Sequence, residues 1–435
     1  MIKNKIAEEY KKLLLKNKIK KINSEDIWAY PTYPSLISTN YGWKIHLSAV
    51  LTNAIDIAKI FFEINKQYKF DFKIISSVSN FEKINMGYYG NSQVGKFITI
   101  YPPQDKVLQT LELLYYTYHN YVGLSVGSDF SYKLSSNVYY RFGTLLEDVD
   151  NIDKRDKKLK PFKDSQNIPD YYLKHFHQIP NNYLILKVIK QIGPSGVFLG
   201  LDTNTRKKVV IRYASKFYNL ESSNIDENDR LLSTSSILNI PLIKKDQNYE
   251  NIIDTFYVDN SVFIVTEYIS GNTLDDMALS GELNTLSLTV KLDIFNQIAK
   301  SINKLNKLGI TFRDISFSNV IITKNLQLKI IDFNYAISKK GLSNFAGRGL
   351  TPSGTYGFYD PEVQLNSPNS DKYGLAQFLY FIIFPDTYIN FVSQINTDTT
   401  YSEIVTILNT VKDKPLPQNI NKLYLSLLND SKVKK

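Results

Sequence analysis

Hydrophobic residues recur at different spacings in different parts of the chain, and these spacings predict where helices and strands lie. At the start, apolar residues follow one another at the three- and four-residue intervals of one helix face: Ile2, Ile6, Tyr10, Leu13 and Leu14. Residues 1–22 also hold eight lysines and two glutamates, so the rest of this helix is basic. We expect it to pack on its own domain rather than to meet a peptide or a membrane surface.

The region from residue 28 to residue 145 mixes strand-like and helix-like stretches. Several stretches rich in β-branched and aromatic residues predict strands, among them Trp43–Val50, Phe70–Ser77, Lys96–Tyr101 and Val138–Phe142. Two stretches with helical periodicity lie between them, namely Asn53–Tyr68 and Asp105–Asn120. This mixture predicts an α+β fold.

A polar stretch at residues 148–170 separates this region from a second one. Its charged residues and prolines predict a linker or a long surface connection. The second region begins with strands near Leu184 and becomes helical from about Leu286, as a two-lobed domain does. The predicted boundaries are 1–27 for the basic helix, 28–147 for the first domain, 148–180 for the linker, 181–412 for the second domain with lobes 181–269 and 270–412, and 413–435 for the tail.

Composition narrows the choice of partners and sites. The 435 residues include 52 basic and 42 acidic side chains, and the net charge of +10 suits acidic partners as well as a basic, soluble surface. Cysteine is absent, so disulfides and thiolate metal sites are excluded. His175 and His177 have no evident further ligand nearby, which favours a surface loop over a metal site.

Nothing in the sequence predicts secretion or membrane insertion. We find no signal peptide, and the longest apolar run, Phe378 to Phe384, is too short to span a bilayer. We therefore expect a cytoplasmic protein with no stable membrane insertion and no nucleic acid partner.

The second region contains the spacing of a phosphoryl-transfer site. Phe312-Arg-Asp314-Ile-Ser-Phe-Ser-Asn319 matches the H-R-D-L-x-x-x-N catalytic loop of protein kinases, and Asp332-Phe-Asn334 follows thirteen residues later, where D-F-G stands. In such a loop the aspartate orients the substrate hydroxyl, while the asparagine and the later aspartate hold Mg²⁺ against ATP. We predict Asp314 as a catalytic residue, and Asn319 and Asp332 as metal ligands, of a kinase that uses ATP or another nucleoside triphosphate with Mg²⁺.

Other kinase landmarks stand in the expected order. Gly193 and Gly196 lie in a short Gly-rich loop, and Arg212 ends a Val-Val-Ile-Arg sequence sixteen residues after Gly196. Glu267 follows a strand where the nucleotide-binding hinge is expected. We predict that these four residues bind the nucleotide. Two later motifs resemble A-P-E and the start of the large helix whose aspartate ties down the catalytic loop: Asp360-Pro-Glu362 and Asp371-Lys-Tyr-Gly-Leu.

Several positions depart from the kinase signature. Arginine stands at position 212 in place of lysine, although only seven of the 52 basic residues are arginine, and arginine is not a neutral replacement. Phe312 replaces the catalytic-loop histidine, and Asn334 replaces the glycine of D-F-G. Thr234 stands where the glutamate of helix αC is expected, with Glu227 as the nearest acidic substitute. These changes leave open a pseudokinase that binds peptide or nucleotide without turnover.

Polar residues also interrupt the predicted strands of the first domain. Lys44 and His46 alternate within Gly42-Trp-Lys-Ile-His-Leu-Ser-Ala49, so both project from one face of a strand. Lys73, Lys96 and Arg141 lie in Asp71-Phe-Lys-Ile, Gly95-Lys-Phe-Ile-Thr-Ile-Tyr-Pro and Val138-Tyr-Tyr-Arg-Phe-Gly. Each residue alone fits a solvated strand lysine or a structural histidine, but their number on several strands favours a shared site.

These motifs, in this order and followed by a divergent kinase domain, resemble the N-terminal part of class III lanthionine synthetases. Such lyase–kinase–cyclase proteins modify lanthipeptide precursors, and their lyase domain is similar to the phosphothreonine lyases that some bacteria secrete as effectors. The resemblance covers roughly residues 28–412. It implies that Lys44 is the base and His46 the acid of a phospho-Ser/Thr lyase, and that the phosphate-binding residues are Lys73, Lys96 and Arg141.

One position departs from the lyase pattern. Where the family often has a basic residue after Asn85, this chain has Met86-Gly87. The resemblance therefore implies a phosphate pocket with one cation fewer.

The chemistry of phosphate elimination agrees with these assignments. A free lysine, with a pKa of about 10.4, is a poor base at neutral pH, but neighbouring cations and burial lower that pKa. The cations that bind the phosphate would therefore also activate Lys44, and His46 is suited to protonate the departing oxygen. We expect no cofactor in this domain.

Three functions remain open. The first is a bifunctional enzyme that phosphorylates Ser and Thr of a precursor peptide with a leader and eliminates the phosphate to dehydroalanine or dehydrobutyrine. The second is a phosphopeptide lyase with a pseudokinase scaffold that relies on a separate kinase, and the third is a leader-peptide-binding protein without turnover. The cyclase domain of the family is missing, so we expect either a separate cyclase or a longer parent chain.

Overall fold

The computed structural model describes residues 2–21, 23, 26–33, 37, 40–90, 92–133, 137–145, 180, 182–192, 194–220, 225–258, 261–323, 327–338, 354–360, 369–396, 399 and 401–431. Most of the predicted linker lies outside these residues, and so do His175, His177, Gly193 and Glu362.

One antiparallel sheet forms the centre of the N-terminal domain. Its strands are β1 (Ile19–Lys20), β2 (Trp28–Pro31), β3 (Tyr41–Leu47), β4 (Asp71–Ile75), β5 (Ile98–Tyr101), β6 (Phe130–Ser131) and β7 (Val138–Thr144). They lie side by side in the order β1-β2-β4-β5-β3-β7-β6. The helices of this domain are α1 (Ile2–Lys16), α2 (Ala54–Tyr68), α3 (Val78–Asn85) and α4 (Val107–Tyr118).

Alternation along the strands gives this sheet one apolar face and one polar face. Residues directly opposite one another share a face, and one apolar row across four strands consists of Phe72, Ile100, Ile45 and Tyr140. These side chains are buried in one hydrophobic cluster with residues of the helices. Tyr10 of α1 joins the cluster, and its hydroxyl donates a hydrogen bond to the carbonyl of Ile75 at 2.6 Å. As expected, the amphipathic helix packs on its own domain.

The predicted strands and helices of this domain are present, with ends shifted by a few residues. The strand predicted at Trp43–Val50 ends at Leu47, and the chain turns only at residues 51–53. Just after the strand, the hydroxyl of Ser48 donates to the carbonyl of Leu124 at 2.6 Å. Helix α3 was not predicted, since its eight residues are too few for a clear periodic pattern.

A second antiparallel sheet begins the C-terminal domain. Its strands are β8 (Tyr183–Ile192), β9 (Ser195–Asp202), β10 (Lys207–Ser215), β11 (Ile252–Val258) and β12 (Ser261–Glu267). They lie in the order β11-β12-β10-β9-β8, and helix α5 (Glu227–Leu238) packs against β10 and β12. The side chain of Asp226 caps this helix by accepting from the backbone nitrogen of Asp229 at 2.8 Å.

The rest of the C-terminal domain is mainly helical. The helices are α6 (Pro241–Lys244), α7 (Leu274–Leu279), α8 (Glu282–Thr285), α9 (Leu288–Lys307), α10 (Asn369–Ile383), α11 (Pro385–Ser393), α12 (Tyr401–Val411) and α13 (Gln418–Ser431). Short strands join them, namely β13 (Gly271–Thr273), β14 (Ile310–Thr311), β15 (Val320–Thr323), β16 (Leu328–Ile330) and β17 (Ile337–Ser338). A mixed domain followed by a strand-then-helix domain confirms the predicted α+β architecture.

Three buried aromatic rings, one of them from the catalytic loop, pack together in the C-terminal domain. Phe333 lies 5.9 Å from Tyr249 and 5.1 Å from Phe312, as measured between ring centres, and meets both rings edge-on. Phe312 is 1 % exposed. Phe312, which replaces the usual histidine, therefore contributes an apolar ring to a buried cluster of aromatic side chains.

No single helix in the described parts of the chain has the length and apolar composition needed to cross a membrane. Helices α10 and α11 meet those requirements only as a pair, and their axes are bent by 109°. Most residues of α10 are buried inside the domain.

Replacing Phe312 with alanine should destabilise the C-terminal domain, because it removes a buried ring from this cluster. We expect the free energy of unfolding, measured with urea, to fall by about 3–5 kcal/mol. Leu242→Ala is the matched control, because that side chain is 58 % exposed, and it should change the value by less than about 0.5 kcal/mol. Equal losses in the two variants would contradict the packing role of Phe312.

Candidate active sites

The polar face of the N-terminal sheet collects the side chains that the sequence singles out. Lys44 and His46 are two residues apart on β3 and therefore share a face. Arg141 of β7 lies directly opposite Lys44. Lys73 of β4 lies opposite Thr99 of β5, which in turn lies opposite His46. Four adjacent strands thus present these polar residues on one surface.

A buried carboxylate, Asp129, lies among these residues. It pairs with Nδ1 of His46, and its Oδ1 is 3.4 Å from Nζ of Lys96 and 3.6 Å from Nε of Arg141. Burial alone would raise the pKa of Asp129, but the contacts with His46 and Lys96 outweigh it and hold this pKa well below its usual range. The carboxylate is therefore ionised and offsets part of the positive charge. The sequence analysis missed Asp129, which lies in a loop with no periodic pattern.

His46 is neutral at pH 7. Burial has the largest effect and lowers the pKa of His46 to about 3, while the carboxylate of Asp129 opposes this and Lys96 reinforces it. Because Nδ1 faces a carboxylate, the neutral ring carries its proton on Nδ1 and leaves Nε2 as an acceptor. A phosphate dianion bound beside the ring would favour the charged form and so raise this pKa.

Aromatic rings lie beside two of the lysines. Nζ of Lys73 is 4.7 Å from the ring centre of Trp28, and Nζ of Lys44 is 5.9 Å from that of Tyr101. Ring faces attract cations, so these contacts restrict where the ammonium groups lie. Lys44 and Lys96 are buried, whereas Lys73 is partly exposed. Lys96 therefore acts on the site mainly through its charge, and Lys73 is open to a bound group.

Positive charge dominates this face. The carboxylate of Asp129 offsets only part of the cationic charge contributed by Lys44, Lys73, Lys96 and Arg141. Such a surface suits a phosphate dianion, because charged donors make the strongest hydrogen bonds to phosphate oxygens. No cluster of three or more His, Asp or Glu residues that could hold a metal ion occurs in the described residues.

The catalytic loop of the C-terminal domain is tied down by Asp371 at the start of α10. Its carboxylate accepts hydrogen bonds from the backbone nitrogens of Phe312 at 2.9 Å and Arg313 at 2.8 Å. Burial raises the pKa of Asp371 to about 6, against the effect of these hydrogen bonds. This contact matches the role that the sequence motif predicts for Asp371.

Asp314 is oriented by two further residues. Nδ2 of Asn319 donates to its Oδ2 at 2.8 Å, and Thr355 donates to its Oδ1 from the backbone nitrogen at 2.8 Å and from the hydroxyl at 2.9 Å. Burial raises the pKa of Asp314, and the charge of Asp332 adds to the effect. A carboxylate with a raised pKa is better suited to accept a proton from a hydroxyl.

Arg212 is held between two carboxylates. Its Nη2 pairs with Glu250, and its Nη1 lies 3.4 Å from Oδ1 of Asp332. Glu250 also accepts a hydrogen bond from the backbone nitrogen of Asp332 at 2.8 Å. Arg212 therefore has acidic partners, but they are Glu250 and Asp332, whereas Glu227, the nearest acidic substitute in the sequence, acts on Arg212 only through its charge. In the kinase pattern the acidic partner lies within the helix that corresponds to α5. Glu250 instead lies just before β11.

Two departures from the kinase signature contact each other. The side chain of Asn334 accepts from the hydroxyl of Thr234 at 3.0 Å and donates to Glu227 at 3.2 Å. Burial and, to a smaller extent, the charge of Asp332 raise the pKa of Glu227 to about 7. The replacements at positions 234 and 334 thus form a polar link between α5 and the loop that carries Asp332.

Gly196 and Glu267, which are also predicted to bind the nucleotide, have different surroundings. Gly196 lies in β9 opposite Tyr213, and a Cβ at this glycine would come within 2.8 Å of the tyrosine ring. A side chain is therefore excluded there. Glu267 ends β12, and its carboxylate accepts from Nζ of Lys329 at 2.6 Å. The backbone nitrogen of Glu267 also has a partner within the domain, since it donates to the carbonyl of Asn251 at 2.9 Å.

Asn319 and Asp332 fit a magnesium–nucleotide complex. The amide nitrogen of Asn319 is used by Asp314, which leaves its Oδ1 for a cation. The side chain of Asp332 is 40 % exposed, and its backbone has a left-handed φ of +63°. Mg²⁺ prefers oxygen ligands and is commonly held by one or two protein groups together with phosphate oxygens.

Family comparisons agree with this geometry in both halves of the chain. A family model described as "RamC, N-terminal domain" matches residues 15–181, and one described as "Protein kinase domain" matches residues 187–432. The chain belongs to the protein kinase family. A RamC N-terminal domain precedes its kinase domain, which is the lyase–kinase arrangement of class III lanthionine synthetases, and RamC is one of these. The resemblance inferred from the motifs is therefore confirmed.

Curated relatives of this kinase-family chain are protein kinases at low identity. The chain is 27 % identical over 213 residues to the "Probable serine/threonine-protein kinase KIN1 homolog" of Encephalitozoon cuniculi, covering 45 % of this chain and 35 % of the relative. It is 28 % identical over 191 residues to serine/threonine-protein kinase cds1 of Schizosaccharomyces pombe, covering 42 % and 39 %. For serine/threonine-protein kinase CST20 of Candida albicans the identity is 26 % over 188 residues, covering 42 % and 14 %. The matches span less than half the length of these relatives.

Asp129→Asn should destabilise the N-terminal domain, because it leaves Lys96 and Arg141 without the carboxylate between them. We expect a loss of about 3–5 kcal/mol at pH 7, measured by urea unfolding. The folded-state pKa of Asp129 is depressed, so its contribution is complete above the ordinary carboxyl pKa of about 3.9 and disappears as pH falls through the folded value. The difference between wild type and variant should therefore shrink below about pH 4. A difference that does not change with pH would contradict an ionised Asp129.

Glu250→Gln should weaken binding of a fluorescent ATP analogue in the presence of magnesium. Without the charge of Glu250, Arg212 is left to pair with Asp332 and competes with the metal for that carboxylate. We expect about a tenfold increase in Kd, or about 1.4 kcal/mol. Glu282→Gln at the start of α8 is the control and should leave Kd unchanged.

Arg212→Ala should also weaken binding of the analogue, whereas Arg212→Lys should preserve or improve turnover. Normal binding and turnover by Arg212→Ala would assign this role to another residue, such as Lys208 or Lys216.

Proposed function

We propose that this chain dehydrates serine and threonine residues of a ribosomally made, lanthipeptide-type precursor in two steps. The kinase domain phosphorylates the hydroxyl, and the N-terminal domain then removes the phosphate, giving dehydroalanine from serine and dehydrobutyrine from threonine. One observation carries the proposal. Lys44, His46 and Arg141 converge on one sheet face around the buried Asp129, in a chain that also has a kinase catalytic loop.

In the first step, the kinase residues orient the hydroxyl and hold the nucleotide. Asp314, fixed by Asn319 and Thr355, accepts the proton of the substrate hydroxyl. ATP or another nucleoside triphosphate would supply the phosphoryl group, and Mg²⁺, which Asn319 and Asp332 would hold, would neutralise the negative charge of the phosphates. Arg212 lies 3.4 Å from Asp332 and is therefore near the nucleotide phosphates.

In the second step, the N-terminal domain carries out β-elimination. Lys44 takes the α-proton, the bond between Cβ and the phosphate oxygen breaks, and the phosphate leaves with the electron pair. Lys73, Lys96 and Arg141 stabilise its negative charge. His46 protonates the departing oxygen, and Asp129 stabilises the imidazolium that this role requires, as carboxylates do for catalytic histidines elsewhere.

A phosphopeptide lyase with a pseudokinase is the second candidate. It is favoured by Arg212, which stands in place of lysine and already pairs with Glu250 and Asp332. Such a protein would depend on a separate kinase. In either case the proposed partner is a precursor peptide with a leader.

Mass spectrometry of a candidate precursor, with and without ATP and magnesium, tests the proposal. Loss of one water mass per serine or threonine only when ATP is present would support the bifunctional enzyme. Dehydration only of a chemically phosphorylated peptide would support the lyase with a pseudokinase. No mass change with either peptide would contradict both and favour a leader-binding protein.

Asp332→Asn should abolish phosphorylation and leave elimination from a synthetic phosphothreonine peptide intact. The reason is that Asp332 lies beside Arg212 in the kinase domain, whereas the lyase residues lie on the sheet of the other domain. Peptide mass measures phosphorylation, and the absorbance of the dehydrated product measures elimination. Equal loss of both activities in a folded variant would show that the two domains do not hold separate sites.

Lys44→Ala and His46→Ala should each accumulate phosphorylated peptide, because phosphorylation continues while elimination stalls. Lys44 should be the more damaging loss, since removing the α-proton is the harder proton transfer. Loss of His46 should slow elimination by roughly 10²–10⁴-fold, as is typical of a general acid. Raising the pH should speed a wild-type reaction limited by protonated Lys44 but should not rescue Lys44→Ala. Dehydration at the wild-type rate by Lys44→Ala would make this domain a recognition module.

A further inference from the structure

The N-terminal domain touches the kinase domain through a small hydrophobic cluster, which we call the joint. It consists of Val94 and Leu124 of the N-terminal domain with Phe217 and Tyr218 of the kinase domain. Leu124 is 1 % exposed, and Val94 and Tyr218 are also buried. A cavity of about 80 Å³ beside the joint is lined by residues of both domains, among them Met86. The two domains are therefore in direct apolar contact.

On the kinase side, the joint lies in the loop between β10 and α5. Phe217 and Asn219 have left-handed φ angles of +66° and +52°, which a bulky residue such as phenylalanine rarely adopts. The backbone nitrogen of Phe217 donates to Asp226 at 2.6 Å, and that of Glu227 donates to the carbonyl of Tyr218 at 3.0 Å. Its surroundings hold this loop in a strained conformation. The two hydrogen bonds fix the position of the first turn of α5.

This first turn reaches the candidate metal ligand through two hydrogen bonds. Glu227 accepts from the side-chain nitrogen of Asn334 at 3.2 Å. The backbone nitrogen of Asn334 in turn donates to Oδ1 of Asp332 at 3.3 Å. A displacement of Tyr218 would therefore shift Glu227 and Asn334 and, through them, change the position of the Asp332 side chain.

On the lyase side, the backbone of Leu124 contacts two segments that carry lyase residues. Its carbonyl accepts from the hydroxyl of Ser48 at 2.6 Å, and Ser48 follows His46 by two residues. Gly95, which precedes Lys96, lies so close that a Cβ there would be 2.9 Å from the same carbonyl oxygen. Leu124 is thus held by the framework of the lyase site and presents its side chain to Tyr218.

We propose that Phe217 and Tyr218 are positioning residues of the kinase reaction and that Leu124 of the lyase domain holds them in place. The lyase domain thereby sets the position of Glu227 and Asn334 and, through them, of Asp332. The inference deepens the proposed function and rests on it, because it requires the kinase domain to bind a nucleotide.

The experiment measures the Kd of a fluorescent ATP analogue with magnesium in the full chain. Tyr218→Ala should raise this Kd by about fivefold or more, and Leu124→Ala, in the other domain, should have a similar effect. Tyr218→Phe should restore wild-type binding, because the ring and not the hydroxyl forms the joint. The double variant should bind no more weakly than the weaker single variant, since both changes break one contact.

Two controls separate this inference from unfolding and from failure of the proposed function. Circular dichroism checks the fold, Val94→Ala replaces Leu124→Ala if the latter does not fold, and Leu108→Ala on an exposed position of α4 should leave Kd unchanged. Unchanged binding in all joint variants, or effects that simply add, would overturn the inference alone. A wild-type chain that does not bind the analogue would contradict the proposed kinase function together with the inference that depends on it.

Discussion

Positive side chains brought together out of water repel one another unless a negative group lies among them. In the N-terminal domain that group is Asp129, whose carboxylate pairs with His46 and lies 3.4 Å from Lys96 and 3.6 Å from Arg141. These contacts bring together β3, β7 and the loops that carry Lys96 and Asp129. The charge balance of the polar face of this sheet therefore depends on one buried carboxylate, which offsets only part of the surrounding positive charge.

The surroundings of Arg212 in the kinase domain have the opposite balance of charge. Arg212 lies among the carboxylates of Glu250, Asp332 and Glu227, and burial together with the charge of Asp332 raises the pKa of Glu227 to about 7. A site of this kind suits a divalent cation, which relieves repulsion between carboxylates and brings phosphate oxygens with it. The N-terminal domain thus offers side-chain cations on its polar face, whereas the kinase domain uses Mg²⁺ together with its nucleotide.

The unusual residues of the kinase domain have partners of their own. Phe312 packs edge-on against Phe333, where a histidine would bring a polar ring into an apolar stack. Asn334 bonds to Thr234, so two departures from the signature meet in one contact. The contact between Asn334 and Thr234 connects helix α5 with the loop that carries Asp332. These contacts explain how the domain departs from the signature while its catalytic loop stays ordered by Asp371.

Features that depend on local spacing can be predicted from the order of the amino acids. Period-two alternation placed Lys44 and His46 on one strand face, and the spacing of the catalytic loop identified the kinase domain with its candidate metal ligands. The roles of Asp129 and Glu250, in contrast, become visible only in the folded protein. Each is a lone acid in a segment without periodic pattern, and its partners lie far away along the chain. Charge pairing depends on distance in space, which local patterns do not encode and which only the folded sheets and loops establish.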